Sequence, residues 1–274
     1  MHKIFVLLLT INNIKTMKNI LLLSLMLCSI SFYSNSSHFL GNDLRVEQIS
    51  TNQFRIILRL ASTVTTLPIS SETINIFEQN TNSLVSSLSL LLDSSRVISS
   101  TISGNTIGFK ISYYSDTVNL PNSINGYYAV ARHCCRSTIN NNFPYGTVFT
   151  CDFPNPSISG GNNNPKFIDY PDSLFMEVGT NRLLDFSCTD ANGDSLVYSI
   201  INPYDYTSAN GSKPYTLLAY TPAYNLPNTL GPGSSIVINS STGIVTARPA
   251  QLGLYVLAIK CEEFRNGVKI GEVI

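Results

Sequence analysis

Residues Thr106–Leu120 read TIGFKISYYSDTVNL, an alternation of apolar or aromatic with polar side chains in which β-branched and aromatic types dominate. A period of two with that composition marks a strand with one buried face. The same pattern recurs in Asn52–Leu60 (NQFRIILRL), Gly126–Cys134 (GYYAVARHC), Thr147–Phe153 (TVFTCDF), Ser195–Ile201 (SLVYSII) and Leu254–Cys261 (LYVLAIKC), with Gly, Asn, Pro and Ser between the runs. One stretch also fits a helix: in Asn82–Ser94 (NSLVSSLSLLLDS), Leu84, Leu88 and Leu91 would share a helical face. Its serines and its strand-rich surroundings favour a strand there too. Strands and helices never alternate as in a parallel βαβ fold, which argues against the nucleotide-binding α/β classes.

Working outward, Pro154–Asn164 (PNPSISGGNNN) has no apolar period and collects turn-forming residues, so it is expected to be a linker. It separates two strand-rich segments, each the size of an immunoglobulin-type sandwich. The expected organisation is all-β: a leader at 1–36, a first β-sandwich at 37–153, the linker at 154–164 and a second β-sandwich at 165–274.

The leader has Lys18 just after Met17, an apolar run from Ile20 to Ile30, and then small and polar residues, which is the layout of a secretory signal peptide. Met17 is the expected start, with an upstream extension before it. The apolar run, about 11 residues, is short of the roughly 20 that a membrane-spanning helix needs, so no transmembrane segment is expected. Cys28 follows Leu-Met-Leu and lacks the small residue that precedes a lipidated cysteine. Formal net charge is zero and only 12% of residues are charged. That gives no basic footprint for nucleic acid and no polybasic patch for a membrane.

Several stretches together resemble a known family. Ser37–Leu44 (SHFLGNDL), the NQFRIILRL and GYYAVARHCCR strands, Asn162–Pro171 (NNNPKFIDYP), Thr189–Ile200 (TDANGDSLVYSI) and Ser241–Gly267, ending in CEEFRNG, follow one another as in gliding-motility-associated bacterial surface proteins. The resemblance implies immunoglobulin-like or cadherin-like sandwiches, export by the type IX secretion machinery and a place on the bacterial cell surface. It also implies further modules after Gly267–Ile274 (GVKIGEVI), leaving the last strand of the second sandwich cut short. Arg59–Thr66 (RLASTVTT) stands where the family has a segment with its own cysteine.

Removal of the leader leaves Cys134, Cys135, Cys151, Cys188 and Cys261 in a compartment where disulfides persist. The adjacent His133, Cys134 and Cys135 pose three options: a metal site, a thiol nucleophile or half of a disulfide. Consecutive strand residues face opposite ways, so His133 and Cys134 diverge, and no CxxC spacing supports zinc. A bridge from Cys151 to Cys134 or Cys135 fits better, with buried thiols acting as small hydrophobes as the alternative. Cys188 and Cys261, late in strands of the second segment, are candidates for an inter-sheet disulfide.

Asp190, Asn192 and Asp194 place three oxygen ligands at alternate positions, as at the start of a calcium loop. Ser195 replaces the turn glycine of a helical calcium loop and Ile201 its bidentate glutamate. In a cadherin-like module the same residues, joined by Glu177, are the candidate calcium ligands; an Asn-Gly turn between strands is the other reading. Tyr198, Tyr204, Tyr206, Tyr215, Tyr220 and Tyr224 are either a stacking surface or packing residues. These readings converge on a non-catalytic extracellular module for adhesion or matrix contact, with an extracellular protein or glycan as ligand. The alternative is the substrate-binding arm of a secreted hydrolase.

Overall fold

A computed structural model of the chain describes residues 39–102, 105–133, 140–142, 146–155, 160–168, 175–205 and 209–274. The leader, Cys134, Cys135 and Tyr206 lie outside the described residues. Among those described, no helix is long and apolar enough to cross a membrane.

The chain is all-β, as the alternation indicates. Its first seven strands are β1 (Phe39–Ser50), β2 (Gln53–Thr63), β3 (Ser71–Glu78), β4 (Leu84–Ile102), β5 (Asn105–Asn119), β6 (Tyr127–His133) and β7 (Thr147–Phe153). They form an antiparallel sheet in the order β1-β2-β5-β4-β3-β6-β7, and β1 packs back across the core against β6 and β7. The corner is β4. Its first half, Leu84–Leu91, pairs with β3, and after a bulge between Leu92 and Ser94 it pairs only with β5. A bulge bends and twists a strand, which lets β4 pass from one layer to the other. Leu88, Leu90 and Leu92 face the core while Leu84 and Leu91 are exposed, so the period is two and the helical spacing is coincidental.

Ten further strands follow: β8 (Lys166–Phe167), β9 (Arg182–Asp185), β10 (Cys188–Thr189), β11 (Ser195–Ile201), β12 (Tyr204–Asp205), β13 (Thr216–Leu217), β14 (Ser235–Ile238), β15 (Ile244–Arg248), β16 (Ala258–Arg265) and β17 (Val268–Val273). β14, β15 and β9 make a three-stranded sheet whose Leu184, Ile236, Val245 and Ala247 join the core beside Tyr198 and Ile259.

The hydrogen bonding does not stop between the two segments. β17 lies between β16 and β7, so the large sheet continues as β7-β17-β16-β11. One register row runs through Ile76, Ala129, Cys151, Val273, Cys261 and Tyr198, and every residue in it is buried. Directly opposed residues of antiparallel strands share a face, so this row is one wall of one core. The same hydrophobic cluster holds Leu44 and Leu58 of the first segment and Val245 and Ile259 of the second, and residues 37–274 form one compact unit.

Two expectations change accordingly. GVKIGEVI, expected as a strand cut short, pairs on both sides, with Val273 and Ile274 buried and the Ile274 N–H donating to the Thr150 carbonyl at 3.1 Å. Among its described residues, the stretch expected as a linker carries three buried asparagines, Asn155, Asn162 and Asn164, and bonds to both segments. Polar, turn-rich composition signals a linker only when its side chains are solvated, and these are not.

Candidate functional site

Asn162, Asn163 and Asn164 run alongside β1 and take the place of a neighbouring strand. The Asn164 N–H donates to the Val46 carbonyl at 2.9 Å, and its Oδ1 accepts from the Val46 N–H at 3.0 Å. Its Nδ2 donates to the Asp152 carbonyl at 2.9 Å, which ties β1 to β7. Asn163 Oδ1 accepts from the Gln48 N–H at 2.9 Å, and the Asn163 N–H donates to Asn192 Oδ1 at 2.8 Å. Asn162 reaches β16: its Nδ2 donates to Glu263 Oε2 at 2.8 Å, and its Oδ1 accepts from Arg265 Nη2 at 2.9 Å. Short amide side chains suit this role because each has both a donor and an acceptor to replace missing backbone partners.

The turn at Asp190–Asp194 closes against this seam. Asp190 Oδ1 accepts from the N–H groups of Asn192 and Asp194 at 2.9 and 2.8 Å, an Asx-type turn that leaves Gly193 in a left-handed conformation. Both Asp194 oxygens are held by Arg265, at 2.8 Å from Nε and 2.5 Å from Nη2. That guanidinium keeps the Asp194 carboxyl below the usual carboxylate range.

One carboxylate oxygen each from Asp190, Asp194 and Glu263 lies within 4.8 Å of the other two. Glu263 is fully buried on the same face of β16 as Cys261, and it fits because its register partner on β17 is Gly271. A Cβ at Gly271 would sit 2.8 Å from Glu263 Oε2 and 2.9 Å from the Asp152 carbonyl. Burial first, and then the neighbouring Asp190 and Asp194, push the Glu263 carboxyl up to about 9. The expected ligand set therefore divides. Asp190 and Asp194 come together, Asn192 is spent on Asn163, and Glu177 is not part of the group. Glu177 instead lines a small cleft with Phe175, Thr180, Asn181 and Arg182.

Among the cysteines, the Cys188 and Cys261 thiols are close enough to act on one another, and both are free in this structure. Burial pushes the Cys188 thiol well up, and its N–H donates to the Tyr198 hydroxyl at 2.8 Å. Cys151 is a free, fully buried thiol. It sits two strands from Cys261, about 10 Å away at normal strand spacing, beyond bridging distance. The pairings expected for Cys134 and Cys135 fall outside the described residues.

His133 is buried with its Nε2 3.9 Å from Glu72. Burial lowers the imidazole to about 4 and raises Glu72 to about 7, so both groups are uncharged between about pH 4 and 7. The described tyrosines disperse. Tyr204 and Tyr215 pack together, ring centroids 5.4 Å apart, over Phe77, Tyr128 and Val148 on the outer face of β3, β6 and β7. Tyr198 is in the main core and Tyr224 lies against Tyr255.

A second feature lies on the outer face of β1, β2, β5 and β4. The register sets Asp43, Arg59, Tyr113 and Ser94 in a row across the four strands. With Arg45, Ile57, Arg96 and Lys166 they line an open cleft of about 390 Å³. Arg59 pairs with Asp43 and donates to the Ile168 carbonyl at 3.0 Å, and Arg96 donates to the Tyr113 hydroxyl at 3.2 Å with its guanidinium 5.9 Å from that ring. The strand alternation that places Arg55 and Arg59 on one face of NQFRIILRL was the available signal for this surface. Comparison with known proteins found no family model, no curated relative and no solved structure that matches this chain.

Proposed function

We propose that the chain is a non-catalytic extracellular surface module that acts in adhesion or matrix contact, exported to the bacterial surface and belonging to the front of a larger gliding-associated protein. The gliding and secretion parts of this reading rest on the resemblance of the quoted motifs. The observation that carries the binding part is the outer face of β1-β2-β5-β4. Its open cleft offers guanidinium groups, a tyrosine ring, a serine and a lysine on rigid strands. Arginine and tyrosine are the side chains most often found at energetic centres of protein interfaces, because each combines a broad apolar surface with a directional polar group. The same groups stack on sugar rings and bond their hydroxyls or carboxylates.

The test is retention of the purified protein on coatings of an acidic polysaccharide, a neutral polysaccharide and a fibrous matrix protein. At least one coating is expected to retain it, and the double variant Arg96→Ser, Tyr113→Ala is expected to lose at least tenfold in affinity. Failure on all three coatings, or undiminished retention of the variant, refutes the reading.

A further inference from the structure

We propose that Asp190, Asp194 and Glu263 form a binding site for a hard divalent cation, calcium above all, at the seam where the Asn162–Asn164 segment joins β1 to β16. The argument starts from oxygens that have nothing to bind. Asp190 Oδ1 is committed to two backbone N–H groups, while its Oδ2 is buried and has no hydrogen-bond partner among the described residues. Glu263 Oε2 is committed to Asn162, while its Oε1 is likewise buried and unpartnered. One oxygen from each of the three carboxyls lies within 4.8 Å of the other two, so the group converges on one space. Buried acceptors without donors are rare in folded proteins and signal a missing ligand or a strained site.

Charge points the same way. Three carboxylates meet one guanidinium, that of Arg265, which leaves an excess of two negative charges when all are ionised. β17 sets Gly271 against Glu263, and the Asn162–Asn164 segment contributes neutral amides. A divalent cation would balance the excess. The donor set is entirely oxygen, which selects calcium or magnesium over zinc or copper. Oxygens around one calcium stand at 2.3–2.6 Å from it and so up to about 5 Å from one another, a span that accommodates the group; magnesium demands near-ideal octahedral geometry and gives up its water reluctantly, which suits an irregular set of three carboxyls less well. The turn is exposed at Ala191, Asn192 and Gly193, so water can reach the rim of the site and complete the coordination. With three protein ligands the expected affinity is that of extracellular calcium modules, half-saturation near ~0.1–1 mM. Because Glu263 also holds Asn162, the ion would brace the contact between the two segments. The site stands independently of the adhesion reading.

The experiment is calorimetric titration of the chelator-treated protein with calcium chloride at neutral pH, together with thermal melting with and without the ion. A saturable heat is expected, with a melting temperature raised by about 4–7 °C at twentyfold half-saturation. Magnesium should bind at least tenfold more weakly. Glu263→Gln and Asp190→Asn should each abolish both effects while melting no lower than the calcium-free wild type, because each amide keeps an acceptor oxygen for the bonds to Asn162 or to the turn and adds an N–H donor toward the facing carboxyl. Absence of saturable calcium binding by the wild type at 10 mM overturns the proposal even if neither variant folds; this concentration lies about tenfold above the expected range. Calcium binding that persists in either folded variant overturns it too. So does equal affinity for magnesium.

Discussion

If one core serves both segments, a cavity cut in either must weaken the whole of residues 37–274 together. Leu58 on β2 and Val245 on β15 are both fully buried, lie in the same cluster, and stand on opposite sides of the stretch that reads as a linker. Leu58→Ala removes a buried isopropyl group, and losses of that kind cost about 2–5 kcal/mol once the cavity is included. Val245→Ala removes two methyl groups, about 1.6 kcal/mol of transfer free energy, and about 2–3 kcal/mol with the cavity. For a unit of this size each kcal/mol lowers the melting temperature by about 2–4 °C. Leu58→Ala is therefore expected to lower it by roughly 4–20 °C and Val245→Ala by roughly 4–12 °C. The assay is differential scanning calorimetry on the leader-free protein, with tyrosine near-ultraviolet dichroism as a second probe. One transition is expected in the wild type, and each variant should shift that one transition as a whole. Two transitions, with Leu58→Ala moving one and Val245→Ala the other, would show two independent sandwiches and refute the continuous-sheet argument.

Asn164→Ala strips the Val46 N–H and the Asp152 carbonyl of their partners, and about 2–4 kcal/mol of stability should be lost in urea denaturation; a loss below about 0.5 kcal/mol would mean that the amide does not hold the seam. Diamide, which takes up two electrons and two protons from a thiol pair, should yield a Cys188–Cys261 disulfide on peptide mapping, and a map without that link contradicts the observed proximity. With Glu72 raised to about 7 by burial, the folded state holds its proton between about pH 4.5 and 7 while the unfolded chain loses it, so Glu72 makes stability fall as pH rises; His133, lowered to about 4, makes stability rise with pH between about 4 and 6.5 and masks that slope. In Glu72→Gln, stability should therefore rise relative to the wild type by up to about 1.4 kcal/mol per pH unit between pH 4.5 and 7, and parallel curves for the two proteins would exclude the effect.

The fold class was legible because a strand leaves a local trace, the period of two, and the glycines and asparagines between runs mark the turns. Even the Leu84–Ser94 stretch yields once Leu88, Leu90 and Leu92 are taken as one face. The insertion of β17 between β7 and β16 leaves no such trace. Pairing of Cys151 with Val273 joins residues far apart in the chain, and nothing in TVFTCDF or VKIGEV names the other as partner. The asparagine run misleads for a related reason. In water Asn is a turn former, and only a buried backbone lacking partners turns the same amide into a substitute strand.

Glu263 is the instructive case. In KCEEFR the two glutamates look alike, yet the alternation that puts Cys261 inward also puts Glu263 inward and Glu262 outward. The structure agrees: Glu262 bonds Lys269 at 2.7 Å at the surface, while Glu263 is buried. A carboxylate on a core face violates the hydrophobic pattern, and such a violation persists only where something offsets the cost of burying the charge. The groups able to do so lie in the turn at Asp190–Asp194, about seventy residues earlier, and two of them are themselves acidic. Opposite charge is what a buried carboxylate requires; Arg265 supplies one unit of it and spends that unit on Asp194. What remains is one buried oxygen on Glu263 and one on Asp190 without a donor among the described residues, and that remainder gives DANGD a chemistry that an ordinary Asn-Gly turn would not have.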